Sequence, residues 1–369
     1  MNILFTSNLS GLGGGETSIL LIMKSLNVNH KVVLLCQSDG PFPDAARKNG
    51  IKVYIDSFKR KNIFKSFINF KNIVKKENIE IIHNNEWSAA VLFGIFSRTI
   101  SDKIKNYWTC HGQWYVFNKL KIFLTKKYIK KIFCVSNNVY QNLQKYGINN
   151  CIISYLGVEN IGHNKTNKSL REELNISNDS IVIATIARYE KIKGQLKALE
   201  GLKYILNKNT NVFYLLIGGC IFKNKEDEQY FHIVKKFSRS INNVFILGER
   251  HDIDNIYNSI DLLLVPSDRE SLSMVTLEAI KHNVPVISTP CQGPQEILCD
   301  NKNLITESND SIGIEKKINR FVNDKEYRKE VISSSAQLKD RIDNIFSVKR
   351  VSNIYINQFM EDLKNEKAI

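Results

Sequence analysis

Residues 261–298, DLLLVPSDRESLSMVTLEAIKHNVPVISTPCQGPQEIL, set two apolar runs on either side of one short helical segment. The first run ends at Pro266 and reads as a buried strand; the second, VPVIST, follows the helix directly. The polar loop Ser267–Ser271 carries Glu270, and the helix carries Glu278. On one continuous helix, eight steps of ~100° would leave these carboxylates roughly 80° apart around the axis. With Glu270 in the loop and Glu278 inside the helix, both border one crevice. That crevice is expected outside the carboxyl end of the first strand, where open α/β sheets bind ligands.

The rest of the chain repeats this alternation. NILFTSNL, HKVVLLCQSD, IKVYID, IEIIHNN, KNYWTC, KIFCVS and NCIISYLGVE read as strands, with helical segments between them. A polar stretch, ENIGHNKTNKSLREELNISNDS, follows, and its beginning, near residues 158–170, is the expected linker. IVIATIARY, VFYLLIGG and VFILGER then open a second alternation that runs into 261–298. The expected architecture is α/β, with two Rossmann-like, doubly wound domains facing across a cleft, residues 1–160 and 161–345.

A chain of 369 residues suits two domains, and its 43% hydrophobic and 24% charged residues are ordinary for a globular protein. No apolar run approaches the ~20 residues of a membrane span, and MNILFTSNLS reads as a first strand, not a signal peptide. The seven Cys are scattered without a CxxC pair, which fits a reducing cytoplasm and argues against a metal or disulfide framework. The net charge of +15 is unevenly spread. Residues 1–160 hold 22 Lys/Arg against 9 Asp/Glu, whereas 161–369 hold 30 against 28. The basic first half therefore favours an anionic partner. Segments 57–76 and 118–133 interleave Lys and Arg with apolar and aromatic residues. They read either as core-facing helices with solvated basic faces or as attachments to an anionic membrane surface, at the inner face of the cell membrane. Nucleic-acid binding has no recognition motif here.

Three further stretches carry chemistry. Gly11-Leu-Gly13-Gly14-Gly-Glu16 follows a strand and opens a helix, where free amides suit a phosphate. A dinucleotide fingerprint needs glycine where Glu16 stands, so a nicotinamide or flavin reading fails on spacing, and a tight turn without ligand is the alternative. Arg188-Tyr-Glu-Lys-Ile-Lys193-Gly194 sets two cations past a strand and before a helix, a site for a diphosphate leaving group. His111 also follows a strand, among Trp108, Trp114 and Tyr115, which read either as core or as a sugar-stacking wall. HExxH does not occur, so metal catalysis of that kind has no sequence support.

Taken in order, IARYEKIKG, LLIGG, VFILGER, IYNSIDLLLVPS and RESLSMVTLEAIKHNVPVIST resemble the family 4 retaining glycosyltransferases of the GT-B fold, glycosyl transferases group 1. GLGGGE, CHG, VS and LGVE extend the resemblance to the first half. It implies that Arg188 and Lys193 bind the donor diphosphate, Glu278 the ribose hydroxyls, and Glu270 the transferred sugar. The backbone at Leu272, Ser273 and Met274 would touch sugar or phosphates, and Gly13 and Gly14 would border the phosphates from across the cleft. His111 would face sugar and acceptor, Arg250 would neighbour the base, and residues 346–369 would form a helix crossing back to the first domain. The chain departs from the family at Ser273 and Asn283, where glycine is usual, and at Leu156, where asparagine is common.

The implied activity is transfer of a sugar with retention from a nucleotide-sugar, UDP-sugar favoured, to a hydroxyl of a lipid-linked glycan in surface polysaccharide synthesis. No metal or other cofactor is expected. The alternatives are a GT-B sugar epimerase or glycosyl phosphorylase, and a catalytically inert membrane-docked subunit. A glycosidase using Glu270 and Glu278 would need their carboxyls ~5–9.5 Å apart, and the adjacent cation pair argues against it.

Overall fold

The computed structural model describes residues 1–58, 62–159, 168–220 and 224–367. The centre of the expected linker, 160–167, and residues 59–61 of the first basic segment lie outside the described residues. The chain divides into two compact units, Met1–Glu159 with Ile345–Ile369, and Asn160–Asn344.

The first unit is built on seven parallel strands: β1 (Asn2–Ser7), β2 (Lys31–Cys36), β3 (Lys52–Ile55), β4 (Ile81–Asn84), β5 (Lys105–Cys110), β6 (Lys131–Cys134) and β7 (Cys151–Ile153). Their order is β3-β2-β1-β4-β5-β6-β7, so the winding reverses between β1 and β4. Helices α1 (Gly14–Asn27), α2 (Pro41–Lys48), α3 (Ile63–Glu77), α4 (Trp87–Ile100), α5 (Lys119–Tyr128) and α6 (Asn137–Lys145) supply the crossovers. Successive side chains of β1 enter opposite cores. Ile3 and Phe5 pack with Ile22 and Leu26 of α1, and Leu4 packs with Phe70 of α3 and Phe93 of α4.

The second unit begins with α7 (Leu170–Glu173) inside the polar stretch that the sequence reading leaves as a separator. The Ser169 hydroxyl accepts from the Glu172 amide at 3.2 Å, and Glu172 Oε2 accepts from the Ser169 amide at 2.9 Å. This reciprocal cap explains why so short and polar a segment turns helical. There follow β8 (Ile181–Ile186), α8 (Gln195–Lys208), β9 (Val212–Ile217), α9 (Lys225–Ser238), β10 (Val244–Gly248), α10 (Ile253–Ser259), β11 (Leu262–Val265), α11 (Met274–Lys281), β12 (Val286–Ser288) and α12 (Gln292–Leu298). Helices α13 (Ser311–Asn323), α14 (Lys325–Ala336) and α15 (Lys339–Ile345) come next. The strands are parallel in the order β10-β9-β8-β11-β12, so the winding reverses between β8 and β11. The loops leaving those two neighbours are the ones that carry Arg188–Lys193 and Ser267–Glu270.

Helix α16 (Val348–Lys367) belongs to the first unit and packs on α1. Val351, Tyr355 and Phe359 recur every four residues and are fully buried in the same core as Ile3 and Phe5. Tyr355 stacks on Phe133 with ring centroids 4.0 Å apart, and each such apolar side chain contributes about 1.5–3 kcal/mol. Among the described residues no helix is long and apolar enough to cross a membrane.

Candidate functional site

In the second unit, glycines let the loops after β8, β9 and β11 close on one another. Gly194 holds φ +72°, and a Cβ there would meet the Pro266 carbonyl oxygen at 2.0 Å. Gly218 holds φ +143°, and a Cβ would meet the Ala187 oxygen at 2.1 Å. The Asp268 amide donates to the Ile192 oxygen at 2.8 Å, and the Tyr189 amide to the Gly219 oxygen at 3.0 Å. Only glycine allows this approach, and its effect is to bring a cation and a carboxylate together. Lys193 Nζ lies 2.7 Å from Glu270 Oε1, with side-chain exposures of 13% and 15%. The Ser267 hydroxyl donates to the same oxygen at 3.0 Å, and the Gly293 amide holds the Glu270 carbonyl at 3.1 Å.

Arg188, at the start of the first of these loops, donates from Nε to Glu190 Oε2 at 2.7 Å. Glu278 lies on α11 and accepts from the Tyr257 hydroxyl at 3.0 Å. Burial pushes its carboxyl up to about 7, with the Tyr257 hydrogen bond and nearby His282 opposing. Tyr257 is itself fixed by stacking on His282, ring centroids 4.7 Å apart, and His282 Nε2 is 3.0 Å from Asp254 Oδ1. Sequence reasoning missed Tyr257, whose position on α10 gives no local cue that it faces α11.

Ser273 caps α11 with φ +114° and ψ +92°, a region that side chains rarely adopt. Asn283, just past α11, holds φ +59°, which asparagine tolerates better. Both positions where the family usually carries glycine thus keep the backbone that glycine favours. The Ser273 hydroxyl is 2.9 Å from that of Thr276, Leu272 is buried, and a Cβ on Gly293 would meet the Leu272 oxygen at 2.3 Å. Met274 is the first residue of α11. Arg250 is held on four sides, at 2.8 and 3.0 Å from Glu173 and at 2.7 and 2.9 Å from Asp252. It ties the loop after β10 to α7, and its charge is already matched by two carboxylates.

In the first unit, Gly13 and Gly14 lie at the amino end of α1, where Glu16 Oε2 accepts from the Gly13 amide at 3.1 Å. One amide of the Gly-rich turn is therefore occupied by the chain's own carboxylate. The His111 ring faces the same turn: a Cβ on Gly15 would lie 3.4 Å from Nδ1. Its Nε2 is 3.4 Å from Asn85 Oδ1, and burial lowers its pKa to about 4, so the ring is neutral. Trp108 is fully buried, edge-on to Tyr115 at 5.2 Å, while Trp114 is 55% exposed. The core reading thus describes Trp108, whereas the exposed Trp114 ring stacks on Tyr115 with centroids 6.1 Å apart.

Glu86 was not anticipated. It accepts from the Ser7 hydroxyl at 3.0 Å and from the Asn8 amide at 2.9 Å, joining the end of β1 to the start of α4. Burial raises its carboxyl to about 7, helped by the charge of Glu16. His83, another strand-end histidine, lies in the core 2.6 Å from the Thr109 hydroxyl, its pKa lowered by burial to about 3.

Residues 166–338 match the family model for glycosyl transferases group 1, and residues 12–159 match that for glycosyltransferase family 4. The chain belongs to family 4 of the glycosyltransferases. The capsular polysaccharide biosynthesis glycosyltransferase CapM of Staphylococcus aureus is 30% identical to this glycosyltransferase-family chain over 49% of the chain and 46% of CapM. The chain spans less than half the length of the curated relatives that it matches at 30% identity or more. An Escherichia coli UDP-Gal:alpha-D-GlcNAc-diphosphoundecaprenol alpha-1,3-galactosyltransferase is 24% identical, covering 72% of the chain and 73% of that enzyme. Among solved structures, Anabaena HepE in complex with UDP and glucose superposes with a TM-score of 0.84, at 18% identity, over 98% of this chain and 99% of that one. The fold of this family 4 member is GT-B.

Proposed function

We propose that this protein transfers a sugar, with retention of anomeric configuration, from a nucleotide-sugar to a hydroxyl of a lipid-linked glycan in surface polysaccharide synthesis. The single observation that carries this reading is the meeting of Lys193 and Glu270 at the β8/β11 switch point, with Arg188 in the same loop as Lys193 and Glu278 on the helix that follows Glu270. The UDP and glucose named with HepE, and the diphosphoundecaprenol named with the galactosyltransferase, support a UDP-sugar donor and a lipid diphosphate acceptor.

In the proposed step the bond between the anomeric carbon and the diphosphate oxygen breaks, its electron pair leaving with the diphosphate. The acceptor oxygen bonds to the same face of that carbon, and its proton passes to a departing phosphate oxygen. Arg188 and Lys193 stabilise the growing negative charge, the task a metal performs in other sites. Lys193 has three N–H donors, so one can hold Glu270 while the others meet phosphate. Glu270 then orients the sugar hydroxyls, and Glu278 accepts from the ribose. The backbone at Leu272, Ser273 and Met274 lies beside the sugar. Gly13, Gly14 and His111 are assigned to the acceptor and phosphate side, the neutral imidazole able to take part in hydrogen bonds without adding charge. Arg250 is assigned beside the base, where its ion pairs fix the loop. The basic first unit meets an anionic membrane surface at the inner face of the cell membrane.

The test is transfer from UDP-sugars to a synthetic lipid diphosphate sugar in excess EDTA, with the product anomer read by NMR. Retention at full rate in EDTA supports the reading. Inversion, or a strict metal requirement, contradicts it.

A further inference from the structure

At the amino ends of β5, β6 and β7, the sheet edge opposite His111, the first unit holds a cavity of about 550 Å³. Among the described residues five cations line it, Arg98, Lys105, Lys126, Lys127 and Lys130, against one carboxylate, Asp102. The walls are fixed by Asn106, whose amide donates to the Ala90 oxygen of α4 at 2.8 Å and the Tyr128 oxygen of α5 at 2.7 Å. Part of the charge is answered locally. The Arg98 guanidinium donates to the Lys127 carbonyl, and Lys130 Nζ is 3.8 Å from Asp362. The Lys127 ammonium lies over the Phe123 and Tyr128 rings, each centroid 5.4 Å away.

The helix that supplies Lys126 and Lys127 is also apolar on its outside; α3 exposes Phe64 and Ile68 in the same way, but no residue of α3 lines the cavity. Leu120 is 64% exposed and Phe123 56%, and with Lys127 they fall at helical spacing on one face of α5. Ile95, one turn before Arg98 on α4, is 38% exposed. A soluble anion would use the cations alone and would leave this apolar stripe unexplained. A membrane surface uses both, taking the stripe at the acyl boundary and the cations at the phosphates.

We propose that this cavity binds the phosphate headgroup of an anionic phospholipid while Leu120 and Phe123 enter the headgroup boundary, so that α5 is the membrane-docking element of the first unit. This rests on the membrane contact proposed above and assigns it to α5, not to the other basic helix, α3. It leaves the strand carboxyl ends, where His111 and the Gly-rich turn lie, uncovered by the lipid contact.

The experiment is co-sedimentation of the full chain with phosphatidylcholine vesicles with and without phosphatidylglycerol. Compared are the natural protein, Lys126→Gln/Lys127→Gln, Leu120→Ser/Phe123→Ser, and Lys71→Gln/Lys75→Gln on α3, with thermal unfolding of each and its transfer rate to a water-soluble acceptor. The expected result is binding only to phosphatidylglycerol vesicles, lost by on the order of tenfold or more in both α5 variants and kept in the α3 variant, with folding and soluble transfer unchanged. Binding that falls in the α3 variant and survives in the α5 variants overturns this proposal while leaving a membrane contact standing. No binding by the natural protein overturns both. Stabilisation of the natural protein by inorganic phosphate, absent in the lysine variant and without vesicle binding, assigns the cavity to a free anion and likewise overturns the proposal.

Discussion

Lys193 Nζ stands 2.7 Å from Glu270 Oε1 across the gap between two loops that follow neighbouring strands, β8 and β11. Both side chains are largely withdrawn from water, so removing one leaves the other charge poorly solvated. In the proposed reaction the pair would hold a cation in place before the anion arrives, lowering the reorganisation that charge stabilisation requires.

Replacing Lys193 by Ala is expected to lower turnover by roughly 10²–10³, the usual cost of one donor to a developing charge, with a smaller change in KM. Glu270→Gln should keep the fold and raise KM for the sugar donor. Steady-state kinetics with thermal unfolding of each variant check both outcomes; equal turnover for Lys193→Ala and the natural protein would remove Lys193 from the mechanism.

Ser273→Gly should stabilise the protein by about 1 kcal/mol, because glycine relieves a φ of +114° at the start of α11. The loss of the Ser273–Thr276 hydrogen bond offsets part of that gain. Ser273→Val should destabilise by more than the glycine variant gains. Urea unfolding midpoints decide the order, and a Ser273→Gly variant less stable than the natural protein would show that the hydroxyl outweighs the strain.

Glu278 makes stability depend on pH in an unusual direction. Its carboxyl, raised by burial to about 7 from an ordinary value of 4.5, stays protonated longer in the folded chain than in the unfolded one. Its contribution is therefore complete below pH 4.5 and is lost as pH rises through about 7. The stability difference between the natural protein and Glu278→Gln should fall across that window and be flat above it. A difference that grows with pH would contradict the burial assigned to this carboxyl.

Glu77 works in the opposite sense. Burial opposes its ionisation, but hydrogen bonds from Lys31, Lys52 and Tyr54 prevail and draw it down to about 2. The stabilisation is present above pH 4.5 and disappears as pH falls toward 2. Acid unfolding of Glu77→Gln should accordingly be shallower than that of the natural protein.

Strand runs such as LLLV and VVLL announce a parallel sheet because they are apolar on both faces, and the loops after them are where the charged motifs stand. Local spacing therefore placed Arg188, Lys193 and Glu270 past the carboxyl ends of strands. It did not reveal the ion pair, because its partners are 77 positions apart and meet only through the reversal of strand order between β8 and β11. Tyr257 and Glu86 were illegible for the same reason: each acts on a residue from another strand or helix. The α7 cap was legible in SLRE, a Ser followed three residues later by Glu, but the surrounding polarity hid it. The unusual backbone at Ser273 and Asn283 was visible only as a departure from the family's glycines.

Calorimetric titration of UDP into the natural protein, Lys193→Ala and Glu278→Gln, all in EDTA, tests the proposed nucleotide site most directly. Metal-free binding by the natural protein is expected, with an accompanying stabilisation of ~2.7 kcal/mol at about 100 times the dissociation constant. Binding should weaken by about tenfold or more in each variant, through lost charge-assisted hydrogen bonds. UDP affinity that vanishes in EDTA, or that is the same in all three proteins, would contradict the proposed site.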